Sequence, residues 1–599
     1  MMMVLLILLT AVIVLDALRM RARIGKVATL ATPAPGDAAT GFRVFAAPGV
    51  TVDDATARAA AAYARDHGID VLDLIPRDLP AIRAMSLAQL VDPVRYRVDR
   101  FGPGRTAGHA LLVADGVVER ARATPPADEV ELVKLAARLK YYGKADFAIA
   151  PAEHARRQDL ARRYDVLYSV LGPSTPLALG ILVVMWAVIG LGLWLAPIYG
   201  LIALGAWQLQ PILALAFTPV HSRDMLPLAI VRAPVELYLF VRTIFGRRAA
   251  STDAAARRAD YDELIAGGLE RFYEPRRETC PVCESRDLAL HMRHGDLFQH
   301  KPGVFELDRC RACRHVFQNP RLSIAGLDFY YKDFYDGLGE SGMELIFGFG
   351  AQPYLDRARM VRAASTESPR RWLDVGAGHG HFCIAARDEL PTTHFDGLDL
   401  SESIDEAKRR GWIETAYRGL FPELAPQLAG RYDAVSMSHY LEHTLDPRAE
   451  LEAAHTALAD RGCLMIEVPD PEFALGKLLR RYWLPWFQPQ HLHFLSVANL
   501  DRLLRERGFT PVEWHRGQAH QRVDFFFASW LFLDRLAPPR RLPWRWRGAF
   551  AGAWRTVVWT MGAPLIVAAI FVDNLIGPLL SRGRVSNTYR VVATKGVSS

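Results

Sequence analysis

Cysteine is scarce in this chain, with six among 599 residues. That is too few for a disulfide framework in a protein of this size, and it points to a reducing compartment. Charge is missing where its absence says most: from Val166 to Ser222 there is no Asp, Glu, Lys or Arg. A soluble surface loop or linker of that length is thereby excluded. The apolar run that opens the chain has no positive charge before it and no small-residue cleavage site after it, which argues against a cleavable leader. Finally, the glycine-rich turn at Gly376 lacks the Gly-x-Gly-x-x-Gly spacing of a dinucleotide fingerprint.

What is present divides into several domains, as the length requires. Hydrophobic residues make up 51% and charged residues 23%, near globular averages, so membrane segments are local features. The formal charge of +7 carries an excess of Arg beside the apolar stretches, the pattern of a cytoplasmic flank.

Met1 to Leu18 is apolar apart from Asp16 and is followed by Arg19, Arg21, Arg23 and Lys26. This predicts an N-terminal anchor (1–26) whose C-terminal side is cytoplasmic; the run is short for a span of roughly 17–25 residues, which allows a tilted or interfacial placement. Residues 27–165 read as a small α/β domain of unknown role. Phe42–Ala46, Ile69–Ile75 and Ala145–Ala150 are its strands, and Asp53–His67 is a helix with Thr51 or Asp53 as N-cap. No catalytic constellation is visible there, and His109 and His154 stand alone. The uncharged stretch supplies two spans with a turn at Pro197–Gly200. Arg156, Arg157, Arg162 and Arg163 precede it, and Arg223, Arg232, Arg242, Arg247 and Arg248 follow, so the hairpin enters and leaves on the cytoplasmic side. A buried soluble hairpin is the competing reading. Val235–Phe245 continues apolar with spaced Arg and suits the membrane surface, closing a segment 166–250.

Region 251–325 contains Cys280-Pro-Val-Cys283 and Cys310-Arg-Ala-Cys313. Two such knuckles fit a four-thiolate structural Zn2+ ribbon, which leaves no coordination position open for catalysis. The nearby His291, His294, His300 and His315 are not needed as ligands. The ribbon lacks an aromatic and basic platform, which argues against nucleic acid as its partner.

From 326 to 599 strand and helix patterns alternate, as in a doubly wound sheet. Trp372–Val375 is the first strand and Phe382–Glu389 starts the next helix. Phe395–Leu400, Asp433–Ser438, Cys463–Val468 and Pro511–Trp514 are further strands; Ser401–Arg410, Asp446–Asp460 and Leu500–Arg507 are helices. Between strand and helix lies Gly376-Ala-Gly378-His-Gly380, with Asp374 two places before it. A carboxylate there suits a cationic amino group, and Asp399 at the next strand tip suits a ribose diol. The pair fits an adenosine-type cofactor that bears an amino acid.

With these motifs, together with Tyr432–His443, Gly462–Pro469 and His491–Ser496, the chain resembles the class I S-adenosylmethionine-dependent methyltransferases. More narrowly it is similar to a bacterial subgroup in which a zinc ribbon precedes the methyltransferase, matched also by Val316–Arg321 and the aromatic Phe329–Tyr335. The resemblance covers about Cys280 to Glu513 plus the final strand Asn587–Lys595, and none of the first 270 residues. It implies an α/β fold, a Rossmann-like seven-stranded methyltransferase domain preceded by the ribbon; the residue patterns above add a transmembrane helical hairpin and the small N-terminal α/β domain ahead of them. It implies S-adenosyl-L-methionine as cofactor, Gly376, Gly378 and Gly380 close to its methionine part, and Asp399 on its ribose. His439 to His443 line the pocket near the methyl group on the same grounds. Many relatives carry an acidic residue near the adenine after the third strand; here that region is Tyr417-Arg-Gly-Leu-Phe421, so no residue is assigned to the adenine.

Methyl transfer needs a positioned acceptor and in some enzymes a base. His491 and His493 follow the fifth strand, on the acceptor side of such a fold, and related sugar methyltransferases use a histidine in a comparable stretch. Either is a candidate base, with Tyr440 behind them; a purely structural role is the alternative. The resemblance implies that the last strand pairs antiparallel beside Pro511–Trp514, so the insertion between them (about 525–582) must return to the side it left. A single complete span is excluded, and interfacial helices or a re-entrant hairpin fit, with a soluble lid as the rival. The sequence therefore points to a multi-pass inner-membrane protein with a cytoplasmic catalytic domain acting on a lipid-linked or envelope-glycan acceptor. The alternatives are methylation of protein or RNA gripped by the ribbon, and a non-enzymatic membrane scaffold.

Overall fold

The computed structural model describes residues 2–32, 39–99, 104–150, 175–245, 252–332, 352–516, 523–582 and 585–596. The arginines expected before the hairpin, His154, and Arg247 and Arg248 after it lie outside the described residues. The chain forms two compact units, Met1–Arg248 and Ala249–Glu340 with Phe349–Ser599.

In the first unit, β1 (Ala28–Thr29), β2 (Phe42–Ala46), β3 (Val71–Pro76), β4 (Ala110–Ala114) and β5 (Ala145–Ala150) form a sheet ordered β1-β5-β3-β4-β2. The β4 strand was not anticipated. It is apolar at nearly every position, so it carries no alternation to mark it. Of the two N-cap candidates, Asp53 caps the helix Asp54–His67: its Oδ1 accepts from Thr56 N at 2.6 Å, and Gly68 closes the helix in the left-handed conformation.

The N-terminal helix runs over Met2–Ile24, 23 residues, so Arg19, Arg21 and Arg23 continue the helix instead of ending it. The uncharged stretch gives helices Thr175–Leu195 and Pro197–Leu215. They break at Ala196 alone; Pro197 opens the second helix, where a missing N–H is harmless, so the turn expected at Pro197–Gly200 is instead a first helical turn. Gln210 anchors this helix to the first, donating to Ile13 O and to Asp16 Oδ2 at 3.4 and 3.3 Å. A further helix, Met225–Phe245, holds Arg232 over the Trp207 ring. Three described helices are long and apolar enough to cross a membrane: Met2–Ile24, Pro197–Leu215 and Phe550–Gly577.

The second unit begins with an antiparallel sheet of β6 (Leu288–His294), β7 (Phe305–Cys310) and β8 (Val316–Gln318). The helix Ile324–Tyr331 follows, capped by Ser323. Then come β9 (Arg371–Val375), β10 (His394–Asp399), the short β11 (Ala416–Arg418), β12 (Tyr432–Ser438) and β13 (Leu458–Pro469). After them lie β14 (His493–Phe494), β15 (Phe509–His515), a hairpin of β16 (Arg541–Leu542) and β17 (Arg545–Trp546), and β18 (Thr588–Lys595). The main sheet is ordered β11-β10-β9-β12-β13-β18-β15. Five strands are parallel; β18 runs antiparallel between β13 and β15, pairing Pro511 with Ala593, as the resemblance implies. The edge strand β11 was not read from the sequence, three residues being too few for a period to show.

β14 leaves the main domain and joins the ribbon, whose sheet becomes β14-β8-β7-β6. Cys280, Val282, Cys310 and Phe317 share one buried core with Leu441, Leu458, Leu495, Leu500 and Tyr589. Each such side chain stabilises by about 1.5–3 kcal/mol on burial, so ribbon and sheet hold each other's fold.

The insertion forms two antiparallel helices, Asp524–Leu536 and Ala549–Arg582. Asp573 of the second caps the first through Phe525 N and Phe526 N at 3.0 and 2.8 Å. At the other end Arg555 bonds Asp534 at 2.6 Å, and Asp534 meets His300 of the ribbon region at 2.5 Å. Trp544 donates to Gln299 O, and Asn587 donates to Asp524 just before β18. Both ends of the long helix are thus tied to one folded body. Its outer face stays exposed and apolar, with Phe550, Trp554, Val557, Met561, Leu565, Phe571 and Leu575 at helical spacing.

Candidate functional site

The loop after β9 is built from glycines for a conformational reason. Gly376, Gly378 and Gly380 have φ of 75°, 51° and 76°, where a side chain is strained. A Cβ on Gly376 would lie 2.7 Å from the Tyr440 ring, whereas one on Gly378 would meet nothing within 4 Å. Gly378 therefore faces open space at the carboxyl end of the sheet, where ligands bind in such folds, and Gly380 begins the helix His381–Glu389.

Asp374 and Asp399 flank that space. Asp374 is buried, its Oδ1 accepting from Ser436 Oγ at 2.6 Å. Burial pushes its carboxyl up to about 7 despite the Ser436 bond and the charge of Arg357, so a ligand cation beside it is favoured by electrostatics. Asp399 is busier than its position in the sequence suggests. Oδ2 accepts from Gly378 N at 2.9 Å, while Oδ1 accepts from Ser401 N and Ser401 Oγ at 2.8 and 2.7 Å. A carboxylate has about four acceptor sites, so a diol held by both oxygens needs Ser401 Oγ to turn to its other partner, Ser403 Oγ.

Behind the loop, His439 adopts φ 50° and bridges two carboxylates, with Nδ1 3.0 Å from Glu442 Oε1 and Nε2 3.1 Å from Glu467 Oε1. Burial alone would lower its pKa, but Glu442 and Glu467 raise it to about 9. Burial likewise opposes ionisation of Glu467, yet Arg357 and Arg590 hold it well below the usual carboxylate range. His439 is thus a clamped imidazolium within a buried ionic network.

Tyr440 lies against the glycine loop and its hydroxyl donates to Glu450 at 3.0 Å. Burial, then the Glu450 carboxylate, keep its phenol well above the ordinary value, so it serves as a wall and a donor, not a base.

His443 and His491 come together, their rings edge to face with centroids 4.5 Å apart. One ligand-type atom from each, and one carboxylate oxygen of Glu442, lie within 4.8 Å of one another. His491 Nδ1–H donates to Pro485 O at 2.7 Å, and His443 Nδ1 lies between Gln490 O at 3.1 Å and the Tyr331 hydroxyl at 2.8 Å. Burial lowers His443 and brings His491 to about 3, so both are neutral and His491 is a weak proton acceptor at neutral pH. His493 lies elsewhere: its Nδ1 is 3.3 Å from Nε2 of His315, in a stacked pair on the ribbon side of β14. It is buried there. Glu442 and Tyr331 were not singled out from the sequence. The aromatic run Phe329–Tyr335 was the only signal for Tyr331, and the acid beside His443 the only one for Glu442.

The four cysteines converge. Cys280 Sγ lies 3.5 Å from Cys313 Sγ and Cys283 Sγ 3.5 Å from Cys310 Sγ, all four within 4.8 Å. Tetrahedral zinc with Zn–S of about 2.3 Å sets sulfurs about 3.8 Å apart, so the cluster fits such an ion. Left-handed Glu284 and Arg314 close the two knuckles, and Val282 N–H points at Cys280 Sγ.

Residues 350–513 match a family model described as a methyltransferase domain. A non-reducing polyketide synthase of Penicillium shearii is 28% identical over 182 residues, covering 28% of this chain and 8% of that protein. The ubiquinone biosynthesis O-methyltransferase of Bordetella avium is 29% identical over 154 residues, 24% of this chain and 63% of that one. The chain thus spans less than two thirds of these curated relatives. Among solved structures, a SAM-dependent methyltransferase from Archaeoglobus fulgidus aligns at TM-score 0.27 with 18% identity, over 42% of this chain and 98% of that one. Family match and strand order agree: residues 350–513 carry a methyltransferase domain on an open, mostly parallel α/β sheet.

Proposed function

We propose that this protein is an S-adenosylmethionine-dependent methyltransferase working at the cytoplasmic face of the inner membrane on a lipid-linked or envelope-glycan precursor. The observation that carries the cofactor assignment is the open, left-handed Gly376–Gly380 loop between Asp374 and Asp399. The bound cofactor supplies an electrophilic methyl group on a sulfonium. Asp374 answers its ammonium, Asp399 its ribose, and backbone N–H groups at the start of helix His381–Glu389 its carboxylate. Tyr440 shuts one side of the pocket, and the acceptor meets the cluster of Glu442, His443 and His491. The relatives named as O-methyltransferases favour oxygen as the acceptor atom. Cys280, Cys283, Cys310 and Cys313 hold a structural Zn2+, keeping β8 and β14 joined behind the site.

The exposed apolar stripe of Ala549–Arg582 supports the membrane assignment, because a helix tied at both ends to one body is suited to lie in the interface and not to cross it. The apolar helices of the first unit supply a multi-pass anchor. Calorimetry with S-adenosylmethionine tests the cofactor, and the absence of heat from the purified protein sinks the reading. Native membranes given radiolabelled S-adenosylmethionine identify the acceptor; label confined to protein or RNA overturns the lipid or glycan assignment.

A further inference from the structure

Glu442, His443 and His491 have more order than an acid–base role requires. His491 gives its Nδ1–H to Pro485 O, which leaves Nε2 as the nitrogen with a lone pair, the arrangement by which proteins prepare imidazole for a metal. His443 Nδ1 is held between Gln490 O and the Tyr331 hydroxyl. The carboxylate is buried, and its Oε2 has no hydrogen-bond partner among the described residues, while Oε1 is used by His439. A fully buried carboxylate oxygen without a donor costs about 1–3 kcal/mol or more, so Oε2 is open to a further ligand beside the His439 pairing of Oε1. The three groups sit on independently fixed backbone: Glu442 O accepts from Leu492 N at 2.7 Å, locking the 442–443 turn to the 491–493 segment. Tyr331, delivered by the ribbon's helix, closes the far side of His443.

We propose that Glu442, His443 and His491 bind a divalent transition-metal cation beside the methyl-transfer site, with coordination positions left open for an oxygen acceptor. The proposal rests on the methyltransferase reading. Two imidazoles and a carboxylate are the donor set of open, catalytic metal sites, as opposed to the closed set of four thiolates. The cation orients an acceptor hydroxyl and makes its proton easier to lose, by acting as a Lewis acid. In the step, the acceptor oxygen forms its bond to the methyl carbon, the carbon–sulfur bond breaks with its pair going to sulfur, and the hydroxyl proton goes to water.

The test uses the full chain in detergent, with zinc in the cysteine cluster and Co2+ as probe. One further equivalent of Co2+ is expected, with X-ray absorption at the cobalt edge giving a nitrogen and oxygen shell with imidazole scattering. His491→Ala and Glu442→Gln are each expected to weaken Co2+ binding at least tenfold. Absence of the further equivalent, a sulfur-only shell, or Co2+ binding unchanged in folded forms of both variants overturns the proposal. Should the variants not fold, the wild-type cobalt edge alone decides. S-adenosylmethionine calorimetry on the same wild-type sample separates the two ideas: cofactor bound without cobalt sinks the metal site only, and no cofactor bound sinks the methyltransferase reading.

Discussion

Two clusters of metal-type ligands lie in the second unit, and they differ in almost every physical respect. The four cysteines come as two local Cys-x-x-Cys pairs on tight knuckles, donate sulfur only, and leave nothing open. Glu442, His443 and His491 bring mixed nitrogen and oxygen donors from two segments separated by β13, with an unpartnered carboxylate oxygen between them. A closed set of soft ligands suits a fold; an open set of borderline ligands suits chemistry. The two are also physically continuous, since β14 hydrogen-bonds to β8 and Gln318 N donates to Leu492 O at 2.9 Å.

Breaking the first cluster has the largest expected effect. Cys310→Ser removes a buried ligand from the shared core; structural zinc binding is of order 10 kcal/mol, comparable with a whole domain's stability. Loss of zinc by elemental analysis, a collapsed thermal transition and loss of cofactor binding are expected together. A folded, cofactor-binding C310S protein breaks the continuity between the clusters. Next comes Glu467→Ala, which leaves Arg357, Arg590 and His439 facing each other without their shared carboxylate. A loss of about 3–5 kcal/mol is expected in urea unfolding, with the zinc content unchanged. Asp399→Ala removes an acceptor of three hydrogen bonds in the glycine loop. Cofactor affinity should fall about 10–100-fold by calorimetry while the thermal transition moves little.

The remaining effect is a pH dependence, which reaches its full size only at the alkaline end. His439 has a folded pKa of about 9 against an ordinary 6.5, so its stabilisation is complete below about 6.5 and is lost as pH rises through 9. Wild-type stability should therefore decline across that window by up to about 3 kcal/mol relative to His439→Gln, compared by denaturant titration at each pH. Parallel curves for the two proteins would falsify the clamped imidazolium.

The same contrast explains what the sequence disclosed. The cysteine knuckles and the glycine loop with its acidic neighbours are local patterns, and the structure has them where the sequence places them; the antiparallel last strand was expected from the family resemblance and is found in that place. The Glu442–His443–His491 cluster was legible only as separate motifs, because its assembly depends on the backbone bond from Leu492 N to Glu442 O and on Tyr331 arriving from the ribbon. His493 was indistinguishable from His491 on paper. Two positions along the chain, the beginning of β14 turns it to His315 instead. Asp399 was placed rightly at its strand tip, but its three intramolecular bonds could not be inferred from spacing. The boundary between ribbon and catalytic domain, evident in the motifs, dissolves in space because one core serves both.

The helix Ala549–Arg582 has a consequence for how a substrate is found. At 1.5 Å per residue its 34 residues reach about 50 Å. On the proposed interfacial reading, a rod of that length fastened at both ends behaves like a keel. It sets the glycine loop at one height and one tilt over the lipid, leaving rotation about the membrane normal and lateral drift as the main freedoms. The search for an acceptor then becomes two-dimensional, and a scarce lipid-borne substrate is met by sliding along the surface it already occupies.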